Sequence, residues 1–245
     1  MSEAAKTDSV VYLPGDTLPV TMDGGCRVVL GPGTSCRTGG PVLATRPGLL
    51  RSRRDKTETF YWIDTRSKRY VPAEGDRVVG VVTGRFGECY RVDISAADQA
   101  QLPWSAFEGV TKKTKPDLKA GDAVYARVRV AITDMEPELS CVEAGREGKA
   151  RGLGQLAGGA DALVVSLPLH VARRLLRRDP NGPLQLLGRH LKFETTVGVN
   201  GRVWLRAEAT RVTVAVLAAL HDLEYLDDAE AREMIDRRLS SHASV

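Results

Sequence analysis

The chain has 245 residues, an aromatic content of 5% and a formal net charge of +4. This length has room for two or three small domains, each with a core of its own. The longest wholly apolar run, Val214 to Leu220, is far shorter than the ~20 residues that a membrane helix needs. The segment from Met1 to Asp8 contains no apolar run of the kind that secretory signals carry. Composition therefore predicts a soluble intracellular protein.

Charge and cysteine distribution narrow the function classes further. A basic stretch between Arg46 and Arg69 contrasts with an acid-rich stretch from Asp227 to Asp236. This pattern is typical of a protein that binds RNA or another polyanion, but ordinary solvated surfaces give it as often. The four cysteines are scattered, without a Cys-x-x-Cys pair or a nearby histidine. That spacing excludes the usual zinc sites and predicts reduced thiols in the nucleus or cytosol.

The first segment, from about Val10 to Lys68, consists of short apolar runs separated by turn residues. Glycine and proline pairs such as Pro14-Gly15 and Arg46-Pro47-Gly48 recur along it. Such regular punctuation predicts hairpins and little helix. We therefore expect an N-terminal β-hairpin domain over residues 1–68. It is too rich in turns to bury much surface by itself and should pack against something else.

The second segment, from about Tyr70 to Ala144, contains five short runs that read as strands. They are Arg77 to Thr83, Cys89 to Ile94, Gln101 to Ser105, Ala123 to Val130 and Glu138 to Val142. Two Gly-Asp pairs, at Gly75 and Gly121, each open one of these runs. Five short strands of this kind predict an OB-type barrel over residues 69–147, and such barrels commonly bind single-stranded nucleic acid on their open face.

The third segment, residues 148–245, mixes strands with amphipathic helices. Its patterns predict a strand at 161–166, helices at 169–178 and 184–191, two strands around Asn200-Gly201 and a long helix from Glu208 to Tyr225. The resulting order, β-α-α-β-β-α, is that of a KH fold. A further helix is expected from Asp227 to Leu239. The chain as a whole is thus expected to be mostly β with an α/β C-terminal domain.

Gly198-Val199-Asn200-Gly201 invites two interpretations. A Gly-x-x-Gly loop flanked by helices can grip a nucleic-acid backbone, as in KH domains. Here the flanking residues alternate as in strands, and an Asn-Gly pair between strands predicts a two-residue hairpin with both residues at positive φ. We favour the structural hairpin. Trp204 on the following strand is expected to pack at the boundary between the barrel and the KH-like domain, with base stacking as the alternative.

Four stretches carry a resemblance to a known family. They are Val29-Leu30-Gly31-Pro32-Gly33, Lys68-Arg69-Tyr70-Val71-Pro72-Ala73-Glu74-Gly75-Asp76, Asp134-Met135-Glu136-Pro137-Glu138 and Gly198-Val199-Asn200-Gly201-Arg202-Val203-Trp204. Through them the chain resembles the ribosomal-RNA-processing protein 40 family of RNA exosome cap subunits, which have S1 (OB-type) and KH domains. The last stretch is the most specific of the four.

The resemblance implies a non-catalytic, RNA-binding cap protein on a nine-subunit barrel that threads RNA towards a nuclease. Its partners would be RNA, a ring of RNase-PH-like subunits and other cap subunits, in the nucleus, nucleolus and cytoplasm. The N-terminal and KH parts would dock on the ring while the S1 barrel faces the pore. Between the first two KH helices, where a clamp would sit, the chain has Asp179-Pro180-Asn181-Gly182, and an aspartate there would repel phosphate. The KH-like domain is therefore interpreted as a docking module.

Three alternatives remain open at this point. The first is the sister cap subunit of the ribosomal-RNA-processing protein 4 type, although the Gly-x-Asn-Gly-Arg-x-Trp stretch favours the protein 40 family. The second is a free-standing S1/KH RNA-binding regulator, which would bind RNA tightly as an isolated chain. The third is a ribonuclease, which would need a cluster of catalytic acids.

RNA contacts are expected on the barrel. Lys112, Lys113 and Lys115 lie close together on one loop beside the open face and would contact phosphates without reading sequence. Arg85 would extend this basic patch, and Tyr90 or Phe86 would supply a stacking ring. An ordinary solvated loop is the competing interpretation of the lysines.

No residue pattern in the chain carries catalysis, a cofactor or a metal. Asp134, Glu136 and Glu138 share one loop, whereas two-metal hydrolytic sites draw carboxylates from several rigid elements. The four histidines lie outside any ligand or nucleophile signature, and no phosphate-binding loop or nucleophile elbow occurs. The sequence therefore predicts a protein that is not an enzyme.

Overall fold

The structure is a computed structural model that describes residues 6–20, 27–55, 57–67, 69–110, 116–142, 152–159, 161–177, 182–226 and 228–242. The chain divides into two compact units, Met1–Arg66 and Ser67–Val245. None of the helices in the described ranges is long and apolar enough to cross a membrane.

The first unit is built from strands, as the turn-rich sequence predicts. Its strands are β1 (Lys6–Tyr12), β2 (Arg27–Leu30), β3 (Thr34–Cys36), β4 (Val42–Ala44), β5 (Gly48–Arg54) and β6 (Glu58–Asp64). Four of them form a sheet in the order β1-β5-β6-β2, with β2 parallel to β6, while β3 and β4 form a separate hairpin. The parallel pair goes beyond the predicted hairpins. A small core of its own lies in this unit, formed by Leu18, Val42, Ala44, Leu50 and Ile63.

The second unit begins with the predicted five-stranded barrel. Its strands are β7 (Arg77–Phe86), β8 (Cys89–Asp93), β9 (Ala100–Pro103), β10 (Ala123–Val130) and β11 (Glu138–Ser140). They follow the order β11-β9-β8-β7-β10, and pairing of β10 with β11 closes the barrel. A two-residue strand, β12 (Gly154–Gln155), pairs antiparallel with the start of β10.

Alternation along the strands decides which side chains fill the barrel. In β10, Val124, Ala126 and Val128 are buried, and the residues between them point outwards. In β8, Tyr90 and Val92 are buried in the same way, and these five buried residues of β8 and β10 belong to one core cluster. The third strand stops at Pro103 and continues as a 3₁₀ turn over Trp104–Ala106, so it is shorter than the sequence predicts.

The remainder of the second unit has the predicted β-α-α-β-β-α order. Its elements are β13 (Ala162–Ser166), α1 (Leu169–Leu175), α2 (Pro183–His190), β14 (Phe193–Val197), β15 (Arg202–Ala207) and α3 (Thr210–Asp222), followed by α4 (Asp228–His242). The three strands form an antiparallel sheet in the order β13-β15-β14. A second core cluster joins this sheet to its helices, with Leu205, Val216, Leu220 and Ile235 among its buried residues.

Candidate nucleic-acid interface

The outer surface of β7, β8 and β9 presents one aromatic ring among polar side chains. Arg91 of β8 pairs with Gln101 of β9, and Phe86 pairs with Cys89, so these residues share the face opposite to the barrel core. Phe86 is 74% exposed, and the guanidinium carbon of Arg91 lies 5.7 Å from the centroid of its ring. We call Phe86, Arg91 and Gln101 the outer face.

An acidic residue borders this outer face. The side-chain amide of Gln101 donates a hydrogen bond of 2.5 Å to Glu136, whose second carboxylate oxygen lies 4.0 Å from Arg91 Nη2. The backbone N–H of Gln101 also donates to the carbonyl of Pro137. Glu136 thus orients Gln101 and lies close to Arg91, but the long, exposed ion pair leaves Arg91 largely free to bind another anion.

Of the two barrel residues predicted to contact RNA, Tyr90 proves to be a core residue. It is 1% exposed, its ring packs edge-on against Phe107, and its hydroxyl donates to the carbonyl of Pro116. A base cannot stack on a ring enclosed in this way, so Tyr90 is not an RNA contact. Arg85 is exposed, and its guanidinium carbon lies 5.8 Å from the centroid of the Tyr90 ring.

The predicted lysine loop lies outside the described residues, since 111–115 include Lys112, Lys113 and Lys115. The same holds for Asp179, Pro180 and Asn181 at the predicted site of a KH clamp.

Gly198 to Gly201 form a hairpin turn, but one of a different type from that predicted. The N–H of Gly201 donates to the carbonyl of Gly198, and the N–H of Gly198 donates to that of Arg202. Gly201 has a φ of +81°, whereas the φ of Asn200 is not positive. The connection therefore has three loop residues ending in a left-handed glycine bulge, instead of two residues that are both at positive φ.

The Asn200 side chain is used to join the hairpin to the barrel. It is 3% exposed, and its amide donates to the carbonyls of Val79, at 2.8 Å, and Ile94, at 2.9 Å. Its oxygen accepts from the N–H of Val79 at 3.2 Å. Val79 pairs with Tyr125 of β10 on one side of β7, but β8 ends at Asp93 and leaves the other side without a strand partner at Val79. The amide of Asn200 takes the place of a peptide group there. Val199 adds a backbone bond to Arg77 at the same edge.

Both glycines of this turn are required by close packing. A Cβ on Gly198 would lie 2.6 Å from the backbone nitrogen of Val79, and one on Gly201 would lie 2.5 Å from the carbonyl oxygen of Leu167. These are distances that no side-chain carbon tolerates. The glycines thus allow the turn to lie close to other parts of the protein backbone. In a clamp, the glycines would instead lie close to a nucleic-acid backbone.

An ion pair reinforces the contact between the hairpin and the barrel. Arg202, which follows the turn, reaches Asp93 Oδ2 at 2.5 Å and also donates to the Asp93 carbonyl. Burial acts to raise the pKa of Asp93, but the hydrogen bond from the Ser95 N–H and the Arg202 guanidinium outweigh it and lower the pKa below its ordinary value. Asp93 therefore remains ionised at neutral pH and in moderate acid.

Trp204 lies on the same sheet face as Arg202. Val203 and Leu205 of β15 enter the core beneath the helices, so Arg202 and Trp204 lie on the opposite face, where β15 packs against β7. Trp204 is 5% exposed, which leaves no ring surface for a base. Its position agrees with packing between the barrel and the KH-like part.

In the described part of the chain, no three His, Cys, Asp or Glu side chains come together as a metal site. What the site offers is an exposed ring, guanidinium groups and an amide, which can stack on a base and bind a phosphate. Sequence reasoning named Phe86 only as an alternative and missed Arg91, Gln101 and the partners of Asn200. Alternation along β8 and β9 was the signal that could have found Arg91 and Gln101.

Comparison with known proteins gives the family. Residues 70–154 match the family described as exosome complex component RRP40, S1 domain, and residues 163–211 match a KH domain family. A solved structure described as an exosome complex RNA-binding protein shares the fold, with a TM-score of 0.56 and 21% identity over 71% of this chain and 99% of that one.

Relatives along the full length are more similar. Exosome complex component rrp40 of Schizosaccharomyces pombe is 40% identical, over 89% of this chain and 90% of that protein. RRP40 of Drosophila melanogaster is 41% identical, over 91% and 92%. Rrp4 of Sulfurisphaera tokodaii is only 24% identical. On this evidence the chain belongs to the exosome complex component RRP40 family.

Proposed function

We propose that this chain is an RNA-binding cap subunit of the exosome with no catalytic role of its own. The relatives are named as components of that complex, and their similarity extends over nearly the whole chain. The chain would stabilise the ring and guide single-stranded RNA into the central channel. It would act in the nucleus, including the nucleolus, and in the cytoplasm.

The observation that supports RNA binding most directly is the exposure of Phe86 beside Arg91. The ring is 74% exposed on a barrel strand, and a nucleobase stacked on it is worth about 1–3 kcal/mol. The adjacent guanidinium can bind a backbone phosphate at the same time. Because neither group reads base edges, this contact would be independent of sequence. Arg85 would extend the contact, and Lys112, Lys113 and Lys115 would add phosphate contacts.

The hairpin that resembles a clamp is fully used inside the protein. Gly198 and Asn200 contact the barrel and Gly201 packs against Leu167 of the KH-like part, so their backbone is closed to RNA. This supports a docking role for the KH-like part, together with the N-terminal part, on RNase-PH-like ring subunits. We propose the corresponding division into domains 1–68, 69–147 and 148–245.

Fluorescence anisotropy with labelled oligouridine tests the RNA contact. We expect Phe86→Ala to weaken binding about 5- to 150-fold, which corresponds to the loss of one stacked base. Phe86→Tyr is the matched control, since it keeps the stacking ring and should bind as the native chain does. Equal affinities for all three proteins would refute Phe86 as a contact.

The lysine loop is tested in the assembled complex. Replacing Lys112, Lys113 and Lys115 by Glu should weaken RNA capture and leave assembly intact, because the expected contacts are to phosphate alone. Unchanged capture would remove the loop from the interface.

Affinity purification with mass spectrometry separates the proposed function from the free-standing regulator. Recovery of RNase-PH-like subunits with the chain is the expected result. Recovery of the chain with RNA alone would favour the regulator.

A further inference from the structure

A polar cleft lies on the barrel and is lined by residues other than those of the outer face. Its volume is ≈ 500 Å³, and it is lined by Glu74, Gly75, Arg127, Arg129, Ser140 and Val142. The two arginines belong to β10, which is separated from β8 by β7 and from β9 by β11. The cleft thus lies on a strand that does not pair with β8, the strand of Arg91.

Arg127 is the unusual residue of this cleft. It is half-buried, yet its guanidinium makes no hydrogen bond or ion pair with any residue in the described part of the chain. Its direct neighbour across β7 is Arg77, and its neighbour across β11 is Ser140. Like charges opposite each other on neighbouring strands destabilise a sheet. A half-buried guanidinium next to a second one is therefore a position that an anionic ligand would stabilise.

The wall facing Arg127 is fixed in place. The N–H of Gly75 donates to the Val128 carbonyl at 2.9 Å, and the N–H of Val128 donates to the Asp76 carbonyl at 2.8 Å. Gly75 has φ of +90°, and a Cβ there would lie 3.4 Å from Arg127 Nη2. The guanidinium thus lies against bare backbone in a cleft whose shape is set before any ligand arrives.

The remaining lining indicates which anion fits. Arg129 is already paired with Glu138 at 3.2 Å, and Glu74 adds a second carboxylate, so a chain of phosphates would meet repulsion. Among the described residues that line the cleft, none has an aromatic ring on which a base could stack. Val142, which is 41% exposed, offers an apolar contact at one end. One carboxylate next to an apolar side chain matches this arrangement, because the guanidinium fork binds carboxylates bidentately.

We propose that this cleft binds an extended segment of a partner protein that carries a carboxylate next to an apolar side chain, with that carboxylate bound between Arg127 and Ser140. The inference is independent of RNA binding at Phe86. It gives the barrel two separate binding sites, one for nucleic acid and one for protein.

The test uses the full chain and the peptide acetyl-Val-Asp-Val-Glu-amide, followed through the side-chain Nε–H signals of arginine in ¹H–¹⁵N NMR spectra. We expect the Arg127 signal to shift and saturate. The matched peptide acetyl-Val-Asn-Val-Gln-amide should bind about ten- to a hundredfold more weakly, since it loses the charge-assisted hydrogen bonds. An equal response to both peptides, or no shift at about 5 mM peptide, overturns the proposal.

Variants separate this site from the RNA contact. Arg127→Gln should abolish the shift that the peptide causes in the signal of Arg129 in the same cleft and leave oligouridine affinity unchanged, with thermal unfolding as the check that the barrel is intact. Arg127→Lys keeps the charge but loses the planar fork, so an intermediate affinity is expected, and it serves if the glutamine variant does not fold. An oligouridine-induced shift of the Arg127 signal would assign the cleft to RNA and overturn the proposal.

Discussion

Replacing Asn200 by Ala tests the contact between the KH-like part and the barrel. The substitution removes three hydrogen bonds and leaves the N–H and carbonyl of Val79 and the carbonyl of Ile94 without partners in a buried site. Each buried group left unsatisfied costs about 1–3 kcal/mol, and partial entry of water offsets some of this. We expect the free energy of unfolding to fall by about 3–6 kcal/mol, a large part of the about 5–15 kcal/mol that holds a typical protein folded.

Urea unfolding followed by far-UV circular dichroism and tryptophan fluorescence measures this loss. Thr195→Val is the matched control, because Thr195 donates a single hydrogen bond to the Trp204 carbonyl within the KH-like sheet, worth about 1 kcal/mol. Asn200→Asp should be as harmful as Asn200→Ala, since a carboxylate cannot donate to the two carbonyls. If the Asn200 variants cost no more than Thr195→Val, the amide does not join the two parts as described.

Three further predictions concern the hairpin turn, its ion pair and the cysteines. Gly201→Val should destabilise the fold by several kcal/mol, since it forces a β-branched residue to positive φ and against the Leu167 carbonyl; unchanged unfolding with weaker RNA binding would restore the clamp interpretation. Because the folded pKa of Asp93 is lowered, its contribution to stability is complete above its unfolded pKa of about 3.9 and is lost as pH falls through the lower folded value. Asp93→Asn should therefore flatten the fall in unfolding free energy below about pH 4, and an unchanged slope would contradict the ion pair. Burial raises the pKa of Cys141 to about 12, so a thiol reagent should label exposed Cys36 in the native protein but reach Cys141 only on unfolding, and fast native labelling of Cys141 would contradict its burial.

The strands and helices of the second unit could be predicted from the sequence because each element carries its own periodicity. The stacking ring shows what periodicity alone could not predict, because Tyr90 is buried and the exposed ring is that of Phe86. Counted from buried Val78 and Val82, strict alternation along β7 would turn Phe86 inwards. A bulge between Val82 and Gly84 shifts the phase, so that Arg85 comes to lie beside Tyr90 and Phe86 turns to the outside.

The partners of Asn200 could not have been found from the sequence for a different reason. The Asn-Gly pair predicts a turn from local chemistry alone, and a turn is present. The groups that Asn200 binds lie 121 and 106 residues earlier in the chain, and no local pattern records them. The same limit applies to the cleft at Arg127, whose walls come from segments that only pairing with β10 brings together.

The early end of β8 has a consequence for any shortened form of this protein. In a fragment that stops before the KH-like part, the backbone groups of Arg77 and Val79 that bond to Val199 and Asn200 would lose these partners. This part of β7 would then be an exposed strand edge, able to pair with a strand of another molecule. Such edges recruit strands from other molecules. We therefore expect the isolated barrel to self-associate through β7, in a manner that depends on its concentration. Low solubility of that fragment would therefore result from the loss of the contacts of Asn200, and would not show that the barrel folds poorly.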